Sequence, residues 1–145
     1  MSKVPGPSGG LVLRAGAAYF ALVFGAGFLL GSIRVPFLVP RLGERVAELL
    51  EAPVMLVVIF FASRHVVRRF ALASLARASL AVGLFALVLL LAAEVLLVVA
   101  VSGRAVLEYI SSRDPVSGPV YLASLLLYAA LPWLHARRSR GLNQP

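Results

Sequence analysis

The chain has 145 residues, enough for one domain, of which 61% are hydrophobic and only 14% charged, with a net charge of +8 and no cysteine. Soluble domains average ~45–50% apolar and ~25% charged residues, so water is not the main solvent of this protein. The lack of cysteine excludes disulfides, thiol chemistry, iron–sulfur clusters and cysteine-ligated zinc. The basic residues gather at the ends of apolar runs and form no stripe interleaved with aromatics, a pattern that argues against nucleic acid and for a lipid bilayer with anionic headgroups.

Residues 1–10 hold two prolines, three glycines and two serines and are expected to form a flexible tail. From Leu11 to Ile33 the chain is apolar apart from Arg14. At ~1.5 Å per residue that run is long enough to cross a hydrocarbon core of ~30 Å. It reads as an uncleaved first membrane helix, because the apolar run continues past the small-residue stretch around Gly25 where a signal peptide would be cut. Ala17, Ala21 and Gly25, and then Gly27 and Gly31, recur every four residues and are expected to pack internally, with dimerisation as a weaker second reading.

Pro36 and Pro40 are expected to stop this helix and impose an extended connection. A second helix should run over 44–64, opening on Glu44 at the positive end of its dipole. Glu44, Glu48 and Glu51 share one helical face, and Pro53 should kink the helix or remove one backbone bond. The strictly apolar stretch from Val54 to Ala62 is too short to span alone, which places Glu48 and Glu51 inside the membrane. Residues 63–77 form a basic connector. A third helix, 78–101, is interrupted once by Glu94. The loop from Arg104 to Gly118 carries Glu108, Arg113 and Asp114, with a short interfacial helix around 106–110. A fourth helix, 118–134, starts with Pro119 at its first position. Residues 136–145 make a basic tail.

The expected fold is therefore all-α, a polytopic membrane protein with four transmembrane helices in a bundle. Counting Lys and Arg at alternate ends gives nine against five, which puts both termini in the cytoplasm. Glu94 lies ~24 Å from the cytoplasmic boundary of its helix, and Glu48 and Glu51 lie ~23 Å and ~18 Å from theirs, by the standard helical rise. The three carboxylates thus share a level near the periplasmic side. Arg34 approaches from the first helix, Tyr121 from the fourth, and Arg45 from the same segment as the glutamates.

These six residues, Arg34, Arg45, Glu48, Glu51, Glu94 and Tyr121, form the candidate polar or ion site. A carboxylate facing lipid costs ~2.5–3.5 kcal/mol, so each must pair, lose its charge or face the bundle. Two readings stand at this point: arginines paired with the glutamates to fix helix register, or a water-accessible pocket for a cation, a proton or a polar headgroup. His65 and His135 fall near the cytoplasmic boundary and read as solvated rather than as a haem or metal pair, so no cofactor is expected. Asp114 and the histidines fall on opposite sides of the membrane, and no phosphate loop, paired-histidine zinc motif or nucleotide fingerprint occurs.

The segment FGAGFLLGSIRVPFLVPRLGERVAELLEAPVML, the arginine cluster from Arg64 to Arg69, and SRDPVSGPVYLASLLLYAALP resemble a group of small four-helix bacterial inner-membrane proteins of unassigned activity. The resemblance runs from the first helix to the fourth and implies that architecture and a bacterial origin, without bringing an activity or a site residue. Small multidrug transporters carry a glutamate in their first membrane helix, which this chain lacks. The expectation is an integral inner-membrane protein with no catalytic role, whose carboxylate and arginine cluster is structural or a small polar site, with the lipid bilayer and a homo-oligomeric or membrane partner as the expected partners. The alternative is a small proton- or cation-coupled transporter working as an oligomer. A lipid-handling enzyme using Asp114 or Glu44 ranks last.

Overall fold

A computed structural model of the protein describes residues 8–103 and 105–142. Lys3 and Arg104, which entered the charge count, and both ends of the expected tails lie outside the described residues. The described chain is helical almost throughout. Helix α1 spans Gly9–Ile33 and runs through one wide turn of π type, Arg34–Leu38, into α2, Val39–Leu42. Helix α3 spans Glu44–Arg69, a 3-10 turn Leu72–Ser74 follows, and α4 spans Ala76–Leu97 with its own π turn at Val98–Ser102. The short α5, Val106–Ser111, leads to α6, Ser117–Gly141. Four of these segments, Gly9–Leu42, Glu44–Arg69, Ala76–Ser102 and Ser117–Gly141, are long and apolar enough to cross a membrane.

The expectation that Pro36 and Pro40 stop the first helix fails, because the chain runs helically through the π turn Arg34–Leu38 into α2. The missing N–H of Pro36 falls within that π turn, whose bonding already departs from the regular α pattern. Pro53 lies inside α3, which continues past it with one N–H donor fewer. The chain turns instead at Gly43, with φ 80° and ψ 161°. That backbone conformation is essentially confined to glycine. The basic connector is likewise mostly helix, since α3 continues to Arg69, and α6 continues through Arg137 and Arg138 to Gly141. The loop helix is present as α5.

Each long helix packs against two others, in the ring order α1, α4, α6, α3. The consecutive helices α3 and α4 therefore lie across a diagonal, and the turn that joins them packs under α6. The other diagonal is bridged by side chains: Tyr19 of α1 stacks on Tyr128 of α6 with ring centroids 4.5 Å apart and donates its hydroxyl to the Tyr128 carbonyl at 2.8 Å.

The buried core is concentrated in one half of the bundle. It comprises Ala15, Tyr19 and Val23 of α1, Ile59 to Val67 of α3, Ala78, Val82 and Ala86 of α4, and Tyr128 and Ala136 of α6, with Leu72 beneath. Small residues permit this density. A Cβ on Gly83 would lie 2.0 Å from the Ala129 carbonyl oxygen, and one on Gly16 would lie 2.5 Å from the Phe85 ring. The small residues picked out in α1 behave differently. Ala17 and Ala21 face outward, and a Cβ on Gly25 or Gly31 would meet nothing within 4 Å. Gly27 touches only Met55. The internal contacts expected of that series are made by Gly16 and Gly83 instead. Large apolar side chains such as Leu29, Phe61, Val88 and Leu126 point away from the bundle on its outer surface, as lipid-facing residues do.

Candidate functional site

In the other half the four helices separate around a cavity of about 730 Å³. One face of each helix lines it. Along α6 the lining residues are Ser117, Tyr121, Ser124 and Tyr128, and along α3 they are Glu48, Glu51 or Ala52, Met55 and Ile59. Both series step by three or four residues, the helical repeat. Gly27 and Gly31 of α1 and Leu90, Glu94 and Leu97 of α4 close the ring. Successive residues rise ~1.5 Å, so the α6 wall from Ser117 to Tyr128 is ~16 Å tall. Its deep part is lined by Val23, Met55, Ile59, Leu90 and Tyr128, and its polar groups collect at the end nearest α2 and α5.

The polar layer assembles from three separate pieces. Arg34, at the junction of α1 and its π turn, lies 2.8 Å from Glu51 through Nε and 3.3 Å from Glu48 through Nη1, joining α1 to α3. All three side chains remain partly exposed. Two carboxyl groups thus share one guanidinium. On the opposite wall, the Tyr121 hydroxyl donates to Glu94 in a short hydrogen bond between α6 and α4. Beside it, the Arg113 guanidinium lies over the Tyr121 ring, 4.1 Å from its centroid, and over the Tyr109 ring at 5.2 Å. Arg113 also donates to the Tyr109 hydroxyl at 3.1 Å. Among the described residues it has no carboxylate partner.

Five of the six expected site residues meet around this cavity: Arg34, Glu48, Glu51, Glu94 and Tyr121. Arg45 does not. Its side chain is 52% exposed and donates through Nε to Asp114 at 2.8 Å. Residue 45 stands one turn nearer the start of α3 than Glu48, and there its guanidinium is taken by the loop before α6. Glu44 also stays outside, exposed on the first turn of α3.

Asp114 organises the loop before α6. Its Oδ1 accepts the Val116 and Ser117 backbone N–H groups at 2.8 and 3.0 Å, while Oδ2 takes Arg45. The Ser117 amide foremost, with the Val116 amide and the Arg45 guanidinium, holds the Asp114 carboxyl below the usual carboxylate range. An aspartate so committed is poorly placed for acid–base chemistry.

Four cavity residues stand outside the six expected site residues: Tyr109, Arg113, Ser117 and Tyr128. The available signal was the spacing of Tyr109 and Arg113, four apart, with Tyr121 at the start of the next helix. Two of the four matter because of what they lack. The Ser117 hydroxyl and the Tyr128 hydroxyl are buried with no hydrogen-bond partner, and both residues border the cavity. Buried polar groups are nearly always satisfied, and these two lie within the cavity wall rather than open to it.

The histidines lie in the closed half. His135 turns inward, its Nδ1 2.9 Å from the Ser63 hydroxyl and its ring edge-on to Phe60. His65 is exposed. Among the described residues, no three or more His, Asp or Glu side chains are gathered as metal ligands.

Fold and site together define a multi-pass helical membrane protein whose four spans enclose a polar-capped, apolar-floored cavity at one end. No family model, no curated protein and no solved structure matches the chain.

Proposed function

We propose that the protein is a non-catalytic, multi-pass protein of the bacterial inner membrane that holds one amphipathic small molecule in this cavity, at the periplasmic side. The observation that carries the reading is a cavity of about 730 Å³ whose apolar floor and charged mouth sit at opposite ends of one chamber. Sites for small molecules run ~300–1,000 Å³, mostly apolar with a few placed polar groups. An ion pair serving register alone needs no chamber. It would be packed shut, as the Tyr19 and Tyr128 pair is in the other half.

The periplasmic placement rests on charge. Arg14, Arg64, Arg68, Arg69, Arg77, Arg137, Arg138 and Arg140 all belong to the end remote from the cavity, and such an excess marks the cytoplasmic side. The arrangement gives coupled transport no particular support, because Glu48 and Glu51 are engaged by Arg34 and Glu94 by Tyr121.

Native mass spectra of the protein purified in a mild detergent test this reading. The wild type is expected to keep one amphiphile of lipid mass per chain. Gly31→Leu, whose side chain would enter cavity space, should reduce that population at least ~fivefold, equivalent to about 1 kcal/mol of lost affinity. Equal retention in both proteins, or none in either, would overturn it.

A further inference from the structure

The mouth of the cavity is not uniformly charged. Its α1 and α3 wall carries Glu48 and Glu51 against the single Arg34, two carboxyl groups to one guanidinium, with spare acceptor oxygens on both glutamates. Its α6 wall carries Arg113, held between two tyrosine rings and committed by one N–H to the Tyr109 hydroxyl. A guanidinium has five donors, so Arg113 keeps most of its hydrogen-bonding capacity. The first wall thus holds two carboxyl groups for one guanidinium, and on the opposite wall Arg113 has no carboxylate in ion-pair contact among the described residues, Glu94 being engaged by Tyr121. Direct pairing between the walls is prevented because each side is fixed by its own contacts, Arg34 to α3 and Arg113 to Tyr109 and Tyr121.

From this polarity we infer that the ligand's head group is zwitterionic, an acidic phosphate joined to a primary amine, on an apolar tail. The inference rests on the amphiphile-holding role proposed above. The phosphate lies against Arg113, where guanidinium and phosphate form charge-assisted bonds. The ammonium lies against Glu48 and Glu51, and its three N–H donors use the acceptor oxygens that Arg34 leaves open. The tail descends past Leu97 and Met55 toward Leu90 and Ile59. An anionic head would add a charge beside three carboxylates. A trimethylated amine would offer no N–H to them.

Native mass spectrometry of the delipidated full chain, offered one compound at a time, tests the inference. The compounds are phosphatidylethanolamine, phosphatidylcholine, phosphatidylglycerol, a long-chain alkylamine and tail-free glycerophosphoethanolamine. The expected order places phosphatidylethanolamine at least ~fivefold above each of the others, a difference of about one unit of RT ln 5. Arg113→Gln, outside the packed spans, should lower phosphatidylethanolamine and phosphatidylglycerol retention together by about tenfold. Glu48→Gln with Glu51→Gln should lower phosphatidylethanolamine alone and erase its lead over phosphatidylglycerol. Circular dichroism and melting on each variant separate lost binding from lost fold, and Arg113→Lys, which keeps the charge, should recover part of the phosphate contact.

Equal or stronger retention of phosphatidylglycerol, phosphatidylcholine or the alkylamine by the wild type would overturn the zwitterion assignment while leaving a ligand cavity in place. Binding of the tail-free head at the same level would show that the head group alone is the ligand and overturn the tail assignment. Failure of all five to bind, with Gly31→Leu indistinguishable from wild type, would instead sink the amphiphile reading on which the inference rests.

Discussion

The two halves of the bundle use the same four helices to opposite ends. In the closed half, glycine and alanine let backbones approach until Gly83 abuts the Ala129 carbonyl and Gly16 abuts Phe85. The polar groups there are matched inside the core, Tyr19 to a carbonyl and Ser63 to His135. In the open half, glycines at 27 and 31 face a chamber rather than a helix. Charged side chains are tied across helix pairs, α1 to α3 and α4 to α6, and outside the cavity Arg45 of α3 reaches Asp114 at the start of α6. Both α1 and α4 end in π turns at this open end, and such turns occur often at functional sites. The lesson is that a glycine repeat in a membrane helix marks small volume, and only the facing helix decides whether that volume is filled by backbone or left for a ligand.

The largest effect should come from filling the closed half. Gly83→Leu puts side-chain atoms where the Ala129 backbone lies, and backbone cannot move aside as a flexible side chain does. Overpacking commonly costs ~1–3 kcal/mol and sometimes more, so this variant is expected at or beyond that range, with size-exclusion profiles showing loss of monodisperse protein. The matched change in the open half, Gly31→Leu, should leave the melting temperature close to that of wild type. Similar damage from both would erase the distinction between the halves.

Next in size is the removal of the charge that ties α1 to α3. Arg34→Met leaves Glu48 and Glu51 side by side without a cation. Breaking a fully buried pair costs ~3–5 kcal/mol, and the remaining exposure of these side chains places the loss below that, at about 1–3 kcal/mol. Adding Glu48→Gln and Glu51→Gln should recover most of it in a thermal-shift assay, because the cost lies in the stranded charges. Glu94→Gln should cost less than Arg34→Met, since a glutamine oxygen can still accept the Tyr121 hydroxyl.

The turn at Gly43 gives an intermediate case. With φ at 80° and ψ at 161°, Gly43→Ala is strained whatever space surrounds it. Conformations of this class cost ~1–3 kcal/mol for other residues, and the loss should appear as faster hydrogen exchange in α2 and the first turn of α3.

The smallest effect concerns pH. Asp114 has its folded pKa depressed, chiefly by the Ser117 amide. Its contribution is therefore fully present above the unfolded carboxylate value of ~3.9 and is lost as pH falls through the lower folded value. Asp114→Asn, which keeps an acceptor for the two amides, should remove that acid dependence and leave α6 formed at pH 7 by circular dichroism. Persistence of the same dependence in the variant would assign it to another group.

Much of this was legible in the residues. Apolar run lengths identify four spans, and the helical rise brings Glu48, Glu51 and Glu94 to one level, where the cavity lies. Arg34 and Tyr121 follow from their positions at the adjoining helix ends. Tertiary geometry decides the rest. Nothing local says that α3 and α4 lie across a diagonal, that Arg45 is claimed by an aspartate 69 residues away, or that Tyr128 ends as a cavity floor. Pro36 misleads because its usual penalty assumes regular α bonding, which the π turn at Arg34–Leu38 does not have.

The absence of cysteine permits a direct measurement of the contrast between halves. Ser124 borders the cavity, whereas Ser79 is fully buried and donates to the Leu72 and Leu75 carbonyls in the closed half. Single-cysteine variants at these two positions, treated with a small thiol reagent in delipidated detergent solution, should separate clearly. Ser124→Cys is expected to react and to be protected by added phosphatidylethanolamine, while Ser79→Cys stays unmodified until the protein unfolds. An unreactive cysteine at 124, or equal reactivity at both positions, would contradict an open ligand chamber set beside a sealed core.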